Sequence, residues 1–325
     1  MKVIIPAAGF GSRLRPHTFT SQKSMLPVAG KPIIAHIIEQ IISWGATEVT
    51  MVVGYLREGM EKYLTESYQI PFEFREQGEM LGLGHAVLTG LNDDDQEVIV
   101  ILGDTILEVD LRPIISRGIT AIGVSEVDDA RKFGVIEKEN GRVVRMTEKS
   151  PNPPSNLAIV GVYYIKNGGV LSQAIKEIIE KNITVKGEYQ ITDALQLMIN
   201  QGERIESFPI QGWYDCGKPS ALLETNAYLL KRDGGSYPVA GIENSVIIPP
   251  VSIASGVTIK DSVIGPNVTI GSRSNIKNSI ISNSICGDDI IVETSILKES
   301  LLGNRTRVFS KESQLNIGAS SELEI

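Results

Sequence analysis

The residues best suited to chemistry come early. After the apolar run KVII (2–5), the stretch PAAGFGSRLRP (6–16) sets Gly9 and Gly11 ahead of Arg13 and Arg15. Glycines let a loop turn its backbone N–H groups outward, and a guanidinium matches phosphate oxygens with two parallel hydrogen bonds. Residues 1–38 carry Lys2, Arg13, Arg15, Lys23 and Lys31 and no Asp or Glu, in a chain of formal net charge −8. That asymmetry predicts a local anion site. A solvated basic turn would explain the arginines, but not the glycines, the prolines and the missing carboxylates together. Two common phosphate loops do not fit. A Walker A loop needs GxxxxGK[ST], whereas Gly11 is followed by Ser12, Arg13 and Leu14; a dinucleotide fingerprint needs a third glycine where Leu14 stands, and no acid follows until Glu39.

Such a loop must be held by a strand before it and a helix after it. KVII reads as a buried strand, and IIAHIIEQIISWGA (33–46) has apolar residues at 34, 37, 38, 41 and 42, a helical stripe stopped by Gly45. His36, Gln40 and Ser43 form its polar stripe. EVTMVVGY (48–55) and EVIVILGD (97–104) are further apolar strands, the second ending on Asp104; Asp93, Asp94 and Asp95 ahead of it read as a solvated turn. Buried strands alternating with amphipathic helices predict an α/β fold with a mostly parallel, Rossmann-like sheet. Asp104 then stands where an open α/β sheet usually places ligand-binding residues.

From about residue 240 the texture changes. NSVI (244–247), DSVI (261–264), NSII (278–281), NSIC (283–286), TSIL (294–297) and ESLL (299–302) recur, the first three 17 apart. Aliphatics six apart (Ile247, Ile253 and Ile259; Ile264, Ile270 and Ile276; Ile285 and Ile291; Leu302 and Val308) describe a triangular coil with one inward side chain per face. This is the pattern of a hexapeptide parallel β-helix. The expected organisation is residues 1–236 as the α/β domain and residues 237–325 as a left-handed β-helix.

Composition bounds the partners. At 325 residues and 42% hydrophobic the chain can bury a proper core. A pI near 5.1 gives no global field for a nucleic-acid polymer. Cys216 and Cys286 make neither a metal spacing nor a disulfide framework, and no segment has the roughly 20 apolar residues of a membrane span. The expectation is a soluble cytoplasmic protein that must meet any electrostatic partner locally.

The run AAGFGSRLRPHTFTSQKSMLPVAGKP resembles the G-x-G-[ST]-R-L-x-P…K-x-[ML]-[LI]-P-V…K-P signature of sugar-1-phosphate nucleotidylyltransferases. EQGEMLGLGHAV (76–87) is similar to that family's base-recognition loop, ILGDT to its metal-binding strand end, TEKS to its E-K-P segment, and GEYQITDAL and WYDCGKPSALLETN to later motifs. Within the family, D-x-G-K-P-x-x-L-L-x-x-N joined to a hexapeptide solenoid is most similar to long-form glucose-1-phosphate thymidylyltransferases.

The resemblance implies transfer of a nucleotidyl group from dTTP or UTP to glucose 1-phosphate with release of pyrophosphate, assisted by Mg²⁺. It implies that Ala7, Ala8 and Gly9 border base and ribose, that Gly11, Ser12 and Arg13 hold the triphosphate, and that Lys23 neutralises charge between the phosphates. Gln77 and Gly82 would meet the base, and Asp104 and Asp215 the metal. Lys149 would grip the sugar phosphate and Glu148 the sugar hydroxyls, with Gly134, Val160 and Trp213 lining that side. Thr105, Phe133, Ser150 and Gln190 depart from the family's usual residues, and none removes a charged catalytic group. The resemblance also implies a homo-oligomer, through the β-helix or the catalytic domain. An acyltransferase solenoid is the rival reading, but that chemistry relies on a histidine base and the last histidine is His85. A non-catalytic relative would be expected to lack Arg13, Lys23 or the metal aspartates, and all are present.

Overall fold

The computed structural model describes residues 1–309, 312–313 and 316–324. Strands and helices alternate as the apolar pattern requires. β1 (Lys2–Pro6) precedes the short strands β2 (Pro27–Val28) and β3 (Lys31–Pro32), then α1 (Ile33–Ser43), β4 (Glu48–Val53), α2 (Arg57–Ser67), β5 (Phe72–Glu76), α3 (Leu83–Gly90) and β6 (Val98–Ile101). β7 (Thr105–Glu108), α4 (Arg112–Ile115), β8 (Ala121–Glu126), β9 (Gly134–Glu139), β10 (Arg142–Glu148) and β11 (Leu157–Ile165) follow. α5 (Gly168–Glu180), α6 (Ile191–Asn200), β12 (Glu206–Pro209), β13 (Gly212–Asp215) and α7 (Pro219–Asp233) complete this part of the chain. Two compact units result: Met1–Gly9 with Ile37–Trp213, and Phe10–His36 with Tyr214–Ile325.

In the first unit nine strands form one sheet, ordered β5-β4-β1-β6-β11-β8-β12-β10-β9. The Rossmann-like half, β5-β4-β1-β6, is parallel. Its inner strands β1 and β6 carry continuous aliphatic runs buried on both faces, Val3–Ile5 and Val98–Ile101, whereas the edge strand β5 is partly exposed. The other half is joined mainly by antiparallel pairs. Because β1 and β6 are parallel neighbours, their C-terminal ends share one edge, and the Gly103 amide donates to Pro6 O at 3.1 Å. Ala7–Gly9 and Asp104 therefore emerge together.

One reading of charge needs correction. Lys2 does not belong to the anion site: its ammonium pairs with Asp95 at 2.8 Å, both side chains largely buried. It lies at the start of β1, and five residues of strand carry the chain about 16 Å toward the glycine loop. Asp93 and Asp94 stand exposed in the turn expected, and Asp93 and Asp95 carry contacts there as well. Asp93 accepts from Ser172 at 2.8 Å and Lys176 at 2.5 Å, because the start of α5 packs on this turn. The polar stripe of α1 is also used internally. Gln40 donates to Leu107 O at 2.8 Å, and His36 Nε2 bonds Val28 O at 2.9 Å.

Among the described residues of the second unit the coils stack as three parallel sheets, of six, five and five strands, the left-handed hexapeptide β-helix expected. Ile259, Ile264, Ile270 and Ile276 are fully sealed in its core. Further along, the inward residues are Cys286 and Val292 rather than Ile285 and Ile291. Ile253 pairs with Ile270, 17 positions on, but Ile270 pairs with Cys286, only 16 on. One corner loses a residue, so the step from Ile281 to Cys286 is five, and the alternation turns Ile285 away from the coil's interior, although it stays buried. The serines of the repeated unit close the corners: Ser262 Oγ donates to Lys260 O and accepts from the Ser279 amide, and Ser279 Oγ does the same one coil later.

Candidate active site

At the shared edge of β1 and β6, the Ala7 amide is already used, donating to Val52 O at 2.8 Å. Gly54 approaches so closely that a Cβ there would lie 2.8 Å from Ala8 O. Asp104 is half-buried, and Thr105 Oγ1 donates to its Oδ1 at 3.1 Å. The departure at Thr105 thus supplies a hydroxyl that fixes the carboxylate. Gln77 is buried, its amide nitrogen facing Gly82 O at 3.2 Å and His85 Nδ1 at 3.1 Å, so Oε1 is what it can offer a base. Gly82 has φ +108, and a side chain there would collide with Tyr189 O at 2.6 Å. Tyr189 in turn laces the loop, accepting from Gly84 N and donating its own amide to Leu81 O.

The sugar-phosphate candidates Gly134, Glu148 and Lys149 meet at the ends of β9 and β10, which pair Glu148 with Gly134. Glu148 Oε2 accepts from Thr192 Oγ1 at 2.7 Å, and its Oε1 faces Lys149 Nζ at 3.2 Å. A Cβ on Gly134 would lie 2.7 Å from Glu148 Oε2, which is why no side chain stands there. Lys149 adopts φ +42 and its amide bonds Phe133 O, an exit that turns the ammonium back over Glu148. Phe133 stacks edge-on against half-buried Trp213, ring centres 5.1 Å apart. Val160 is buried where β11 shifts register between Ile159 and Tyr163.

In the second unit the glycine–arginine loop is a short 3₁₀ turn, Ser12–Leu14, entered through Gly11 at φ +60. A Cβ on Gly11 would lie 2.9 Å from Thr18 Cγ2 and 3.2 Å from Lys23 Cβ, so glycine is needed both for its dihedral and for its space. Ser12 and Arg13 are exposed. Lys23 is buried, and its Nζ lies 3.9 Å from Asp215 Oδ1. Gly217 leaves room for both partners of the loop: a Cβ there would lie 2.8 Å from Asp215 Oδ1 and 3.0 Å from Arg13 Nη2. Arg13, Lys23 and Asp215, up to 202 positions apart in sequence, therefore gather at one place.

Residues 2–232 match the family described as nucleotidyl transferase, and residues 234–285 match the GlmU-like C-terminal hexapeptide family. The chain belongs to the nucleotidyl transferase family. It is 38% identical over 260 residues to the bifunctional protein GlmU of Methanocaldococcus jannaschii, spanning 79% of this chain but 61% of that one. It is 34% identical to the UTP–glucose-1-phosphate uridylyltransferase AglF of Haloferax volcanii (67% and 92% covered), and 33% identical to a glucose-1-phosphate thymidylyltransferase of Streptomyces antibioticus (80% and 74% covered). A crystal structure of UDP-glucose pyrophosphorylase with UDP-glucose superposes with a TM-score of 0.62 at 29% identity, covering 71% of this chain and 98% of that one. No helix among the described residues is long and apolar enough to cross a membrane.

In this nucleotidyl transferase the fold adds residues beyond those read from motifs. Thr192 and Asp193 open α6, and Thr192 is the hydroxyl on Glu148. Asp193 Oδ2 is closed off from solvent without a hydrogen bond. Burial, and the negative charge of Glu148 beside it, push its pKa up to about 6. Both lie in the GEYQITDAL motif, but only burial reveals their pairing with Glu148. Both cysteines are free and buried, and burial pushes the Cys286 thiol up to about 12, leaving it unreactive.

Proposed function

We propose that the chain transfers a nucleotidyl group from dTTP or UTP to glucose 1-phosphate. A phosphate oxygen of the sugar phosphate attacks the nucleotide α-phosphorus, and the bond to the bridging oxygen of pyrophosphate breaks in line with it. Two anions must approach, so catalysis is mainly charge neutralisation and alignment. The observation that carries this reading is the convergence of Arg13 and buried Lys23 on Asp215 in an otherwise acidic chain.

In this proposal Gly11, Ser12 and Arg13 hold the triphosphate, Arg13 stabilises the departing pyrophosphate, and Lys23 neutralises charge as the phosphates meet. Ala7, Ala8 and Gly9 border the nucleoside, with Gln77 and Gly82 at the base. Lys149 grips the sugar phosphate and Glu148 accepts from sugar hydroxyls, beside Gly134, Val160 and Trp213. Asp104 and Asp215 would hold Mg²⁺; both are hard carboxylate donors, and Thr105 presets the orientation of Asp104. Mg²⁺ favours one or two carboxylates with phosphate oxygens and water completing its shell, and when bound it neutralises phosphate charge.

The test is pyrophosphate release with Mg²⁺ across dTTP and UTP, each against glucose 1-phosphate and N-acetylglucosamine 1-phosphate. Turnover with glucose 1-phosphate supports the proposal, and silence across all combinations refutes it. The two nucleotides differ by one methyl, worth roughly 1–3 kcal/mol in an apolar pocket, so a preference of 10- to 200-fold is the ceiling.

A further inference from the structure

Asn226 ends the sequence phrase that begins at Asp215 (D-x-G-K-P-x-x-L-L-x-x-N) and takes no part in the roles above. It is completely buried, on the inner side of α7. Its Oδ1 accepts two hydrogen bonds, from the Ala29 amide at 2.9 Å and from Thr269 Oγ1 at 2.7 Å. Its Nδ2 donates to Asn267 O at 3.1 Å. One side chain thus joins three segments: α7, the turn between β2 and β3, and the solenoid coil that carries residues 267–269.

Each of those connections leads to the site. Asp215 runs through three residues into α7. Lys23 lies at the head of the segment that Ala29 ends: the Leu26 amide donates to Lys23 O at 3.1 Å, and Ile33 N returns to Leu26 O at 3.1 Å, closing the β2–β3 hairpin. That hairpin turns through Ala29 at φ +49 and Gly30 at φ +89, and Gly30 sits against the solenoid so closely that a Cβ would lie 2.2 Å from Ser252 Oγ. Lys23 and Asp215 therefore share one anchor.

We infer that Asn226 is a positioning residue that sets Lys23 against Asp215, and that the solenoid, through Thr269 and Asn267, completes the phosphate-binding half of the enzyme. A serine or alanine in its place cannot satisfy all three of these polar groups, of which the Thr269 hydroxyl is fully buried, so the hairpin loses its tie to α7 and the coil. The inference rests on the nucleotidyl-transfer reading for its kinetic consequences, but not for its structural ones.

The experiment compares Asn226→Ala, Thr269→Val and Thr269→Ser in the full chain. Displacements on the order of 1 Å near phosphates cost up to about 100-fold. Asn226→Ala is expected to lower kcat/KM for the nucleotide by about 10- to 100-fold and to raise the Mg²⁺ needed for half-maximal rate, with the KM for the sugar phosphate unchanged. Thr269→Val should fall in the same direction, and Thr269→Ser, which keeps the hydroxyl, should restore the rate. Hydrogen exchange at the Ala29 amide should quicken in both damaged variants. Unchanged nucleotide kinetics in folded Asn226→Ala, or equal damage by Thr269→Val and Thr269→Ser, would overturn the inference. If Asn226→Ala does not fold, the Thr269 pair decides. If the unaltered chain turns over no substrate pair, the functional reading fails, and exchange at Ala29 still decides whether Asn226 anchors the hairpin.

Discussion

Thr192 Oγ1 donates to Glu148 Oε2 at 2.7 Å, from the first turn of α6 to the last residue of β10. Glu148 is thereby held from both sides, by this hydroxyl and by Lys149. A hydrogen bond to a charged group contributes about 1.5–3 kcal/mol. Thr192→Val is expected to raise the KM for the sugar phosphate roughly tenfold or more, leaving the KM for the nucleotide within twofold. Steady-state kinetics with each substrate varied in turn would check it.

Asp193 gives a pH signature of stability. Its pKa is raised in the folded protein from 3.8 to about 6, by burial first and by Glu148 second. The folded state therefore prefers the neutral carboxyl, and that advantage, full below pH 3.8, is lost as pH climbs through about 6. At pH 8 the ionised carboxylate is a cost. Asp193→Asn should stabilise the protein at pH 8 by roughly 1–3 kcal/mol, after allowance for partial solvent contact, and by far less at pH 4. Thermal melting at the two pH values measures this; equal shifts at both would rule out the titration.

Thr105 presets Asp104, so its loss should appear in metal dependence. Thr105→Val is expected to raise the Mg²⁺ concentration for half-maximal activity about 10-fold, the scale found when partners of metal ligands are removed. Chelation by EDTA should abolish pyrophosphate release and excess Mg²⁺ restore it. Asp104→Asn should abolish turnover with its melting temperature nearly unchanged.

Gly11→Ala tests the turn that carries Arg13. The left-handed dihedral costs an alanine about 1–2 kcal/mol, and its Cβ would press on Thr18 and Lys23. The variant should melt lower and lose most of its kcat, since Lys23 must move. A normal kcat in the folded variant would show that Lys23 tolerates displacement.

Periodicity made the two architectures legible. Continuous aliphatic strands at 3–5 and 98–101 read as buried, and aliphatics recurring six apart read as the inward positions of a triangular coil. Single-residue detail was less accessible. Ile285 and Ile291 keep the spacing of six, yet a five-residue corner hands the interior to Cys286 and Val292. Lys2 adds to the basic count of residues 1–38, but strand direction carries it to the opposite end of β1, where Asp95 takes it. Motifs likewise named Glu148 and Lys149 without Thr192 and Asp193, because the pairing of β10 with the head of α6 depends on tertiary packing. Nor does any spacing show that Phe10–His36 packs in the same compact unit as the β-helix.

That last association bears on how such proteins can be recombined. A crossover placed in the linker after α7 would divide one compact unit, separating the hairpin at Ala29 and the amide of Asn226 from the coil at Thr269. A chimera that exchanges the solenoid alone would inherit a mismatched seat for its own Lys23. Transplanting residues 10–36 and α7 along with the new coils keeps the seat intact, so successful solenoid exchange requires three crossovers rather than one.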